Sequence, residues 1–300
     1  MKDLIRQNVT IMLIVGLILV LLGTAVVYRY RRYVLNAAFL YYARPQADKL
    51  PRNNPASCTP KEIGQKRVVF VGDSITMGTV SVNYIDLLAQ QLDNEAFELI
   101  NAGVNSQLAY NVLQRLDEVI ACDPDFVFVL IGTNDLNAVA LAENAEAYAR
   151  GQNLPQSPSP KWYRENLTAI ATRLKEQTFA EVALLSLPPL GEQIDSEAYQ
   201  LSTEYSEIVK EVAADTAVSY LPLHESMTDY LTQQSGTKQG YSENWNELVV
   251  NSMYSHFLYK QSLDKVSEQN GYLLLTDSIH LNTTGAQMIV DLTLPILEEE

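Results

Sequence analysis

Three short motifs carry side chains that could do chemistry together: Gly72-Asp73-Ser74-Ile75, Gly132-Thr133-Asn134-Asp135 and Asp277-Ser278-Ile279-His280. A serine hydroxyl becomes a nucleophile when a neighbouring base takes its proton. The chain holds three histidines, His224, His256 and His280, so candidates for that base are few. Only His280 has a carboxylate three residues ahead of it, Asp277, which can turn back and hold the ring tautomer that leaves the far nitrogen free. His224 and His256 lack such a neighbour and read as surface or packing residues. Asn134 can donate a side-chain N–H toward negative charge developing beside the serine. Each motif also has a plainer use. Asp73 and Ser74 are common turn and helix-cap residues, and a turn accounts for Gly132 and Asn134 equally well.

The elements that must position these residues can be read from Arg67 onward, where short apolar runs alternate with amphipathic stretches. That is the pattern of a parallel sheet with helices on both faces. The spacing predicts strands at Val68–Val71, Phe97–Ile100, Phe126–Ile131, Val182–Leu187 and Ala217–Leu221. Helices are expected at Gly78–Leu92, Leu108–Ile120, 162–178, 196–214 and Thr284–Leu297. The unbroken apolar run Phe126–Ile131 suits a central strand buried on both faces. Ser74 and Asn134 then fall just past the carboxyl ends of strands, where open parallel sheets bind their ligands. The segment Leu223–Asn270 is rich in Tyr and Ser and is hard to assign.

The N-terminal part has a different character. Val9–Val27 carries no charge, and at about 1.5 Å per residue it spans roughly 30 Å, enough to cross a bilayer as a helix. A cleaved signal peptide is the competing reading, but the stretch is longer than the usual apolar region and no clear small-residue cleavage site follows it. Tyr28, Tyr30 and Tyr33 beside Arg29, Arg31 and Arg32 resemble an interfacial belt, after which Val34–Ala43 continues as a helix lying on the bilayer up to Pro45. Lys49–Pro60 reads as a Pro-rich linker. The domains are therefore taken as an anchor over 1–33, a juxtamembrane segment and linker over 34–66, and one α/β domain over 67–300.

The formal charge of −15 is unevenly spread. Residues 1–52 hold eight Lys/Arg against two Asp, which leaves 13 basic and 34 acidic side chains, a net −21, for residues 53–300. Such a body repels phosphate backbones, so nucleic-acid binding is set aside. Cys58 and Cys122 are too few and too far apart for a zinc ribbon. The sequence offers no H-E-x-x-H metal set, no P-loop ending and no G-x-G-x-x-G after a strand, so neither metal nor cofactor is expected.

Taken together, the motifs resemble the SGNH, or GDSL, hydrolase family from about Arg67 to Leu297. The resemblance implies a flavodoxin-like α/β/α sandwich with a five-stranded parallel sheet. It also implies a nucleophile at Ser74, an Asp277–His280 pair completing the triad, and an oxyanion hole from the Ser74 and Gly103 N–H groups and the Asn134 amide. Gly103 enters through Asn101-Ala102-Gly103-Val104-Asn105. His280 would take the Ser74 proton as the hydroxyl attacks an ester carbonyl, giving an acyl-enzyme that water releases. An acyltransferase would share that intermediate, and a non-catalytic binding protein would keep only the fold. The substrate, an O-acyl ester of a lipid or an envelope glycan, is left undecided.

Two long segments, 136–160 and 223–270, depart from the family pattern. The first, extended to residues 136–165, Ala-rich and then punctuated by Pro155, Pro158 and Pro160, is expected to form a partly rigid flap beside Asn134. Tyr241, Trp245, Tyr254, Phe257 and Tyr259 in the second would either line an aromatic wall of the pocket or pack an extra helical layer.

The side of the membrane is open to two arguments. Arg29, Arg31, Arg32 and Arg44 after the apolar stretch outnumber Lys2 and Arg6 before it, which favours a cytoplasmic domain. The strand order implied by the family puts Cys58 and Cys122 at the amino edge of adjacent strands. A bridge there would close a long loop and persist only in an oxidising compartment; two buried free thiols are the alternative. An anchored esterase facing envelope substrates tips the expectation to an extracytoplasmic domain.

Overall fold

The computed structural model describes residues 2–43, 54–93 and 95–298. It divides into two units. The first is helix α1 (Lys2–Ala43). Its segment Thr10–Arg31, 22 residues, is long and apolar enough to cross a membrane or to serve as a signal sequence. The helix runs through the Tyr/Arg cluster without a break, so nothing in its backbone turns residues 34–43 away from the axis of the apolar segment. Pro45 and the first part of the expected linker, Lys49–Asn53, lie outside the described residues.

The second unit is built on a parallel sheet of five strands among the described residues: β1 (Lys66–Gly72), β2 (Phe97–Gly103), β3 (Phe126–Leu130), β4 (Glu181–Leu185) and β5 (Ser219–Leu221). Their order is β2-β1-β3-β4-β5, with β1 and β3 adjacent near the centre. The apolar runs Val68–Val71 and Phe126–Leu130 are fully buried, as strands covered on both faces require. In register, Gly72 of β1 pairs with Gly103 of β2 and with Leu130 of β3. The carboxyl ends of three strands are therefore level, and the loops that follow start from one rim.

The connecting helices are α2 (Ser74–Met77), α3 (Tyr84–Ala89), α4 (Ala109–Gln114), α5 (Leu116–Ala121), α6 (Thr133–Ala140), α7 (Ala142–Gly151), α8 (Pro160–Gln177), α9 (Glu197–Thr216), α10 (Leu223–Gln233), α11 (Trp245–Phe257), α12 (Leu263–Asn270) and α13 (Thr283–Glu298). Helix α8 packs on α4 and α9, and α13 on α3 and α10. With the sheet between helical layers, the unit is an α/β sandwich.

Two expected helices are corrected. Gly78–Leu92 is not one helix: Gly78, at φ 70°, caps α2 in the left-handed region, and a Cβ there would meet Asn83 Cβ at 2.6 Å. A new helix, α3, starts only at Tyr84, capped by Asn83, whose side chain accepts from the Ile85 and Asp86 N–H groups. Leu108–Ile120 is likewise split at Arg115. The largely buried Arg115 guanidinium donates to Ala102 O (2.7 Å), Gly72 O (3.2 Å) and Gln107 Oε1 (2.6 Å), holding the ends of β1 and β2 together.

At the opposite, amino-terminal edge of the sheet, Cys58 and Cys122 form a disulfide with a Cα–Cα distance of 5.4 Å. The buried Arg67 braces it from beneath, donating to Cys122 O and Thr59 O and pairing with Glu98.

Candidate active site

Ser74 is the first residue of α2, directly after β1, with its side chain at the rim. Its Oγ lies 2.9 Å from His280 Nε2, across 206 residues of sequence. His280 Nδ1 lies 3.0 Å from Asp277 Oδ2. A carboxylate only accepts, so Nδ1 carries the hydrogen and Nε2 presents its lone pair to the Ser74 hydroxyl. Asp277 Oδ1 accepts from the N–H groups of Ile279 (2.8 Å) and His280 (2.9 Å), which folds the four-residue motif back on itself. All three side chains are at most 8% exposed.

Two sets of hydrogen bonds hold the histidine loop in place. Ser81 Oγ accepts from Leu281 N–H (2.9 Å), and Val82 N–H donates to Leu281 O (2.9 Å). On the other side the fully buried Glu192 accepts from the consecutive N–H groups of Leu273, Leu274 and Leu275, at 2.7–3.0 Å. Burial raises the Glu192 carboxyl above its ordinary range, although those three donors oppose the shift. Gly191 N–H donates to Ser278 O (3.0 Å), within the Asp277–His280 segment itself.

Gly103 and Asn134 stand beside the serine turn. A Cβ on Gly103 would sit 2.2 Å from Met77 N, so close approach to α2 alone demands glycine there. In this structure Gly103 N–H donates to Asn101 Oδ1 (2.9 Å). Asn134 Nδ2 donates to Gln107 O (3.0 Å) and, at 3.2 Å, to Asp73 Oδ2. Asp73, the residue before Ser74, also caps α2 through Ile75 N–H. Burial pushes its carboxyl up to about 6, against the pull of Ile75 N–H, His280 and the Asn134 amide. Burial pushes the neighbouring Asp135 further, to about 8, even though Ala109 N–H donates to it.

The other two histidines are occupied elsewhere. His224 is buried, with Nδ1 3.0 Å from Leu187 O and Nε2 2.9 Å from Thr203 Oγ1. His256 has Nδ1 2.8 Å from Gln261 O.

The segment expected as a flap forms α6 and α7, which pack on each other, and the segment that resisted assignment forms α10, α11 and α12. Trp245 and Tyr241 are not a free aromatic wall. Trp245 is buried and stacks on Tyr148, and its ring N–H donates to Asn144 Oδ1 (3.2 Å), while Tyr241 OH donates to Asn137 Oδ1 (2.5 Å). Phe257 and Tyr259, by contrast, are exposed. Sequence reasoning passed over Tyr148, Glu192 and Arg115. The one signal for them was the presence of groups able to bond buried backbone or amide atoms.

Solved structures with the same fold include the acetyl xylan esterase AlAXEase, 22% identical with a TM-score of 0.55, the match covering 77% of this chain and 98% of that one. Another is Axe2, an acetylxylan esterase from Geobacillus stearothermophilus, 16% identical with a TM-score of 0.53, covering 78% of this chain and 95% of that one. No curated protein matches the chain. The pattern of the GDSL-like Lipase/Acylhydrolase family matches residues 70–288, from the middle of β1 into α13, and the chain belongs to that family.

Proposed function

We propose that this protein is a membrane-anchored serine esterase that hydrolyses O-acyl esters through an acyl-enzyme on Ser74, with short acyl groups on an envelope glycan as its substrates. The observation that carries the reading is the buried hydrogen-bonded line Ser74 Oγ–His280 Nε2, His280 Nδ1–Asp277 Oδ2. His280 takes the hydroxyl proton as Ser74 attacks the ester carbonyl, and Asp277 stabilises the imidazolium that results. The imidazolium then protonates the leaving alcohol. Water, deprotonated by His280, attacks the acyl-enzyme and returns Ser74.

The oxyanion is received by the N–H groups of Ser74 and Gly103 and by Asn134. Asn134 is already bonded to Gln107 O and Asp73, so the oxyanion competes for the hydrogen that now makes the longer contact, the one to Asp73. Gly103 similarly exchanges Asn101 Oδ1 for the oxyanion.

The glycan preference is suggested by the two acetyl xylan esterases that share the fold. Catalytic mutants of Axe2 replace a serine, an aspartate and a histidine, the last two three residues apart, the types and spacing of Asp277 and His280 here. Helix α1 supplies the anchor. The Cys58–Cys122 disulfide favours an oxidising, extracytoplasmic location over the cytoplasmic one that the arginine flank suggests. Hydrolysis of acetylated xylo-oligosaccharides and of 4-nitrophenyl esters of increasing chain length tests the assignment. Turnover that falls with chain length and vanishes in Ser74→Ala supports it, and a protein inert toward every ester contradicts it.

A further inference from the structure

The two family-atypical segments meet in a buried polar network that ends on the oxyanion amide. Tyr148 OH, on α7, donates to Asn134 Oδ1 at 2.7 Å. The same hydroxyl accepts from Asn137 Nδ2, on α6, at 3.0 Å. A phenol has one hydrogen, so accepting from Asn137 commits that hydrogen to Asn134. Asn137 is in turn held by Tyr241 OH (2.5 Å) and by Asn144, whose Nδ2 donates to Asn137 O (2.7 Å) and whose Oδ1 accepts from the Trp245 ring N–H (3.2 Å). Asn134, Asn137, Asn144, Tyr148 and Trp245 are each at least nine-tenths buried, so water does not stand in for a missing partner.

We infer that Tyr148 is a positioning residue for ester hydrolysis: by donating to Asn134 Oδ1 it fixes which end of that amide faces the oxyanion, and Asn137 and Tyr241 fix Tyr148. The inference rests on the proposed role of Asn134. An asparagine side chain can rotate by half a turn and exchange its oxygen for its nitrogen at little steric cost. With Oδ1 on Tyr148, Nδ2 faces Asp73 Oδ2 and Gln107 O, beside Ser74. Rotated, the amide would set its oxygen against two acceptors and offer an oxyanion no hydrogen. Burial raises the Tyr148 phenol well above its ordinary range, so it remains a donor wherever the enzyme works. The second segment thus contributes to the oxyanion hole without touching substrate, through Tyr241 and Trp245.

The test is a double-mutant cycle between Tyr148 and Asn134, read in kcat and KM for 4-nitrophenyl acetate at pH 8 on the full chain in detergent, with the rate of Ser74→Ala subtracted as the blank. Tyr148→Phe should lower kcat about tenfold, the worth of one buried hydrogen bond, and leave KM unchanged. In the Asn134→Ala background the same substitution should cost nothing further. Tyr241→Phe, two hydrogen bonds more distant and at a half-buried position, should show a smaller loss that also disappears with Asn134→Ala, and it serves if Tyr148→Phe fails to fold. Equal losses in both backgrounds, or no loss in the native background, would overturn the inference while leaving the role of Asn134 standing. If Asn134→Ala itself left kcat intact, the oxyanion reading would fall and this one with it.

Discussion

The hydroxyl of Ser81 bonds both backbone groups of Leu281, accepting from its N–H at 2.9 Å and donating to its carbonyl at 3.3 Å, across 200 residues of sequence. Ser81 follows the turn that holds Ser74, and Leu281 follows His280. One side chain therefore ties the two loops whose alignment sets the Ser74–His280 distance. Ser81→Ala leaves the buried Leu281 N–H without its acceptor, at a cost of about 1–3 kcal/mol. The urea midpoint should fall accordingly, and the rate of covalent labelling by a fluorophosphonate should fall with it. Unchanged stability and labelling would show that the loops align without this tie.

The oxyanion assignment predicts that Asn134→Ala lowers kcat by roughly 10² to 10³, the usual loss for one such donor. Asp277→Asn should be severely impaired too, because an amide at Oδ2 can donate to Nδ1 and select the wrong histidine tautomer. His256→Ala should keep its activity, since that ring lies outside the Ser74–His280–Asp277 line. Rates of ester hydrolysis for these three variants and for His280→Ala check these points together. Loss of activity in His256→Ala with retention in His280→Ala would reverse the assignment.

Much of the site was legible in the sequence because its chemistry is local. Asp277 and His280 are three residues apart, and Ser74 and Asn134 each follow a strongly apolar strand, so type and spacing marked them as candidates and the family resemblance joined them into one site. The five strands were readable for the same reason, since runs such as Phe126–Leu130 have one use in a buried sheet. The helix expected over Gly78–Leu92 was misread because apolar spacing continues through Val80 and Val82. A left-handed φ at Gly78 and the pairing of Ser81 and Val82 with Leu281 take that stretch out of the helix. Glu192 was out of reach, because its three N–H partners lie more than 80 residues away and nothing local marks them. Tyr148 sits in an Ala-rich helix whose pattern reports amphipathicity, not the identity of the amide it meets.

The disulfide lies at the amino edge of the sheet and Ser74 at the carboxyl edge, so stability and activity should separate there. The bridge spans 64 residues of sequence, a loop worth about 4 kcal/mol in the chain-entropy model. The double variant Cys58→Ala/Cys122→Ala should lose stability on that scale in urea while its kcat per folded molecule stays near that of the native protein. A large drop in kcat without a drop in midpoint would contradict this separation.

Asp135 makes a pH-dependent contribution whose sign can be worked out. Its carboxyl is pushed from 3.8 up to about 8 by burial, so the folded chain holds a proton there that the unfolded chain has released. The native state then binds more protons than the unfolded state, and stability falls as pH rises between those two values. Asp73, pushed up to about 6, adds its own decline below that point, and His224, lowered from 6.5 by burial, adds a rise that ends near its ordinary value, so between pH 6 and 8 the difference between variant and native protein reports Asp135 and the bare slope does not. Urea unfolding across that window should show a shallower decline for Asp135→Asn than for the native protein. Parallel pH profiles would show that Asp135 is ionised in the folded state.

The most direct measurement is mass-spectrometric mapping of the fluorophosphonate adduct on the full chain, paired with ester turnover of the same samples. The account predicts one adduct, on the tryptic peptide that contains Ser74, together with loss of both the adduct and turnover in Ser74→Ala. An adduct on another residue, or a Ser74→Ala protein that still hydrolyses esters, would contradict it.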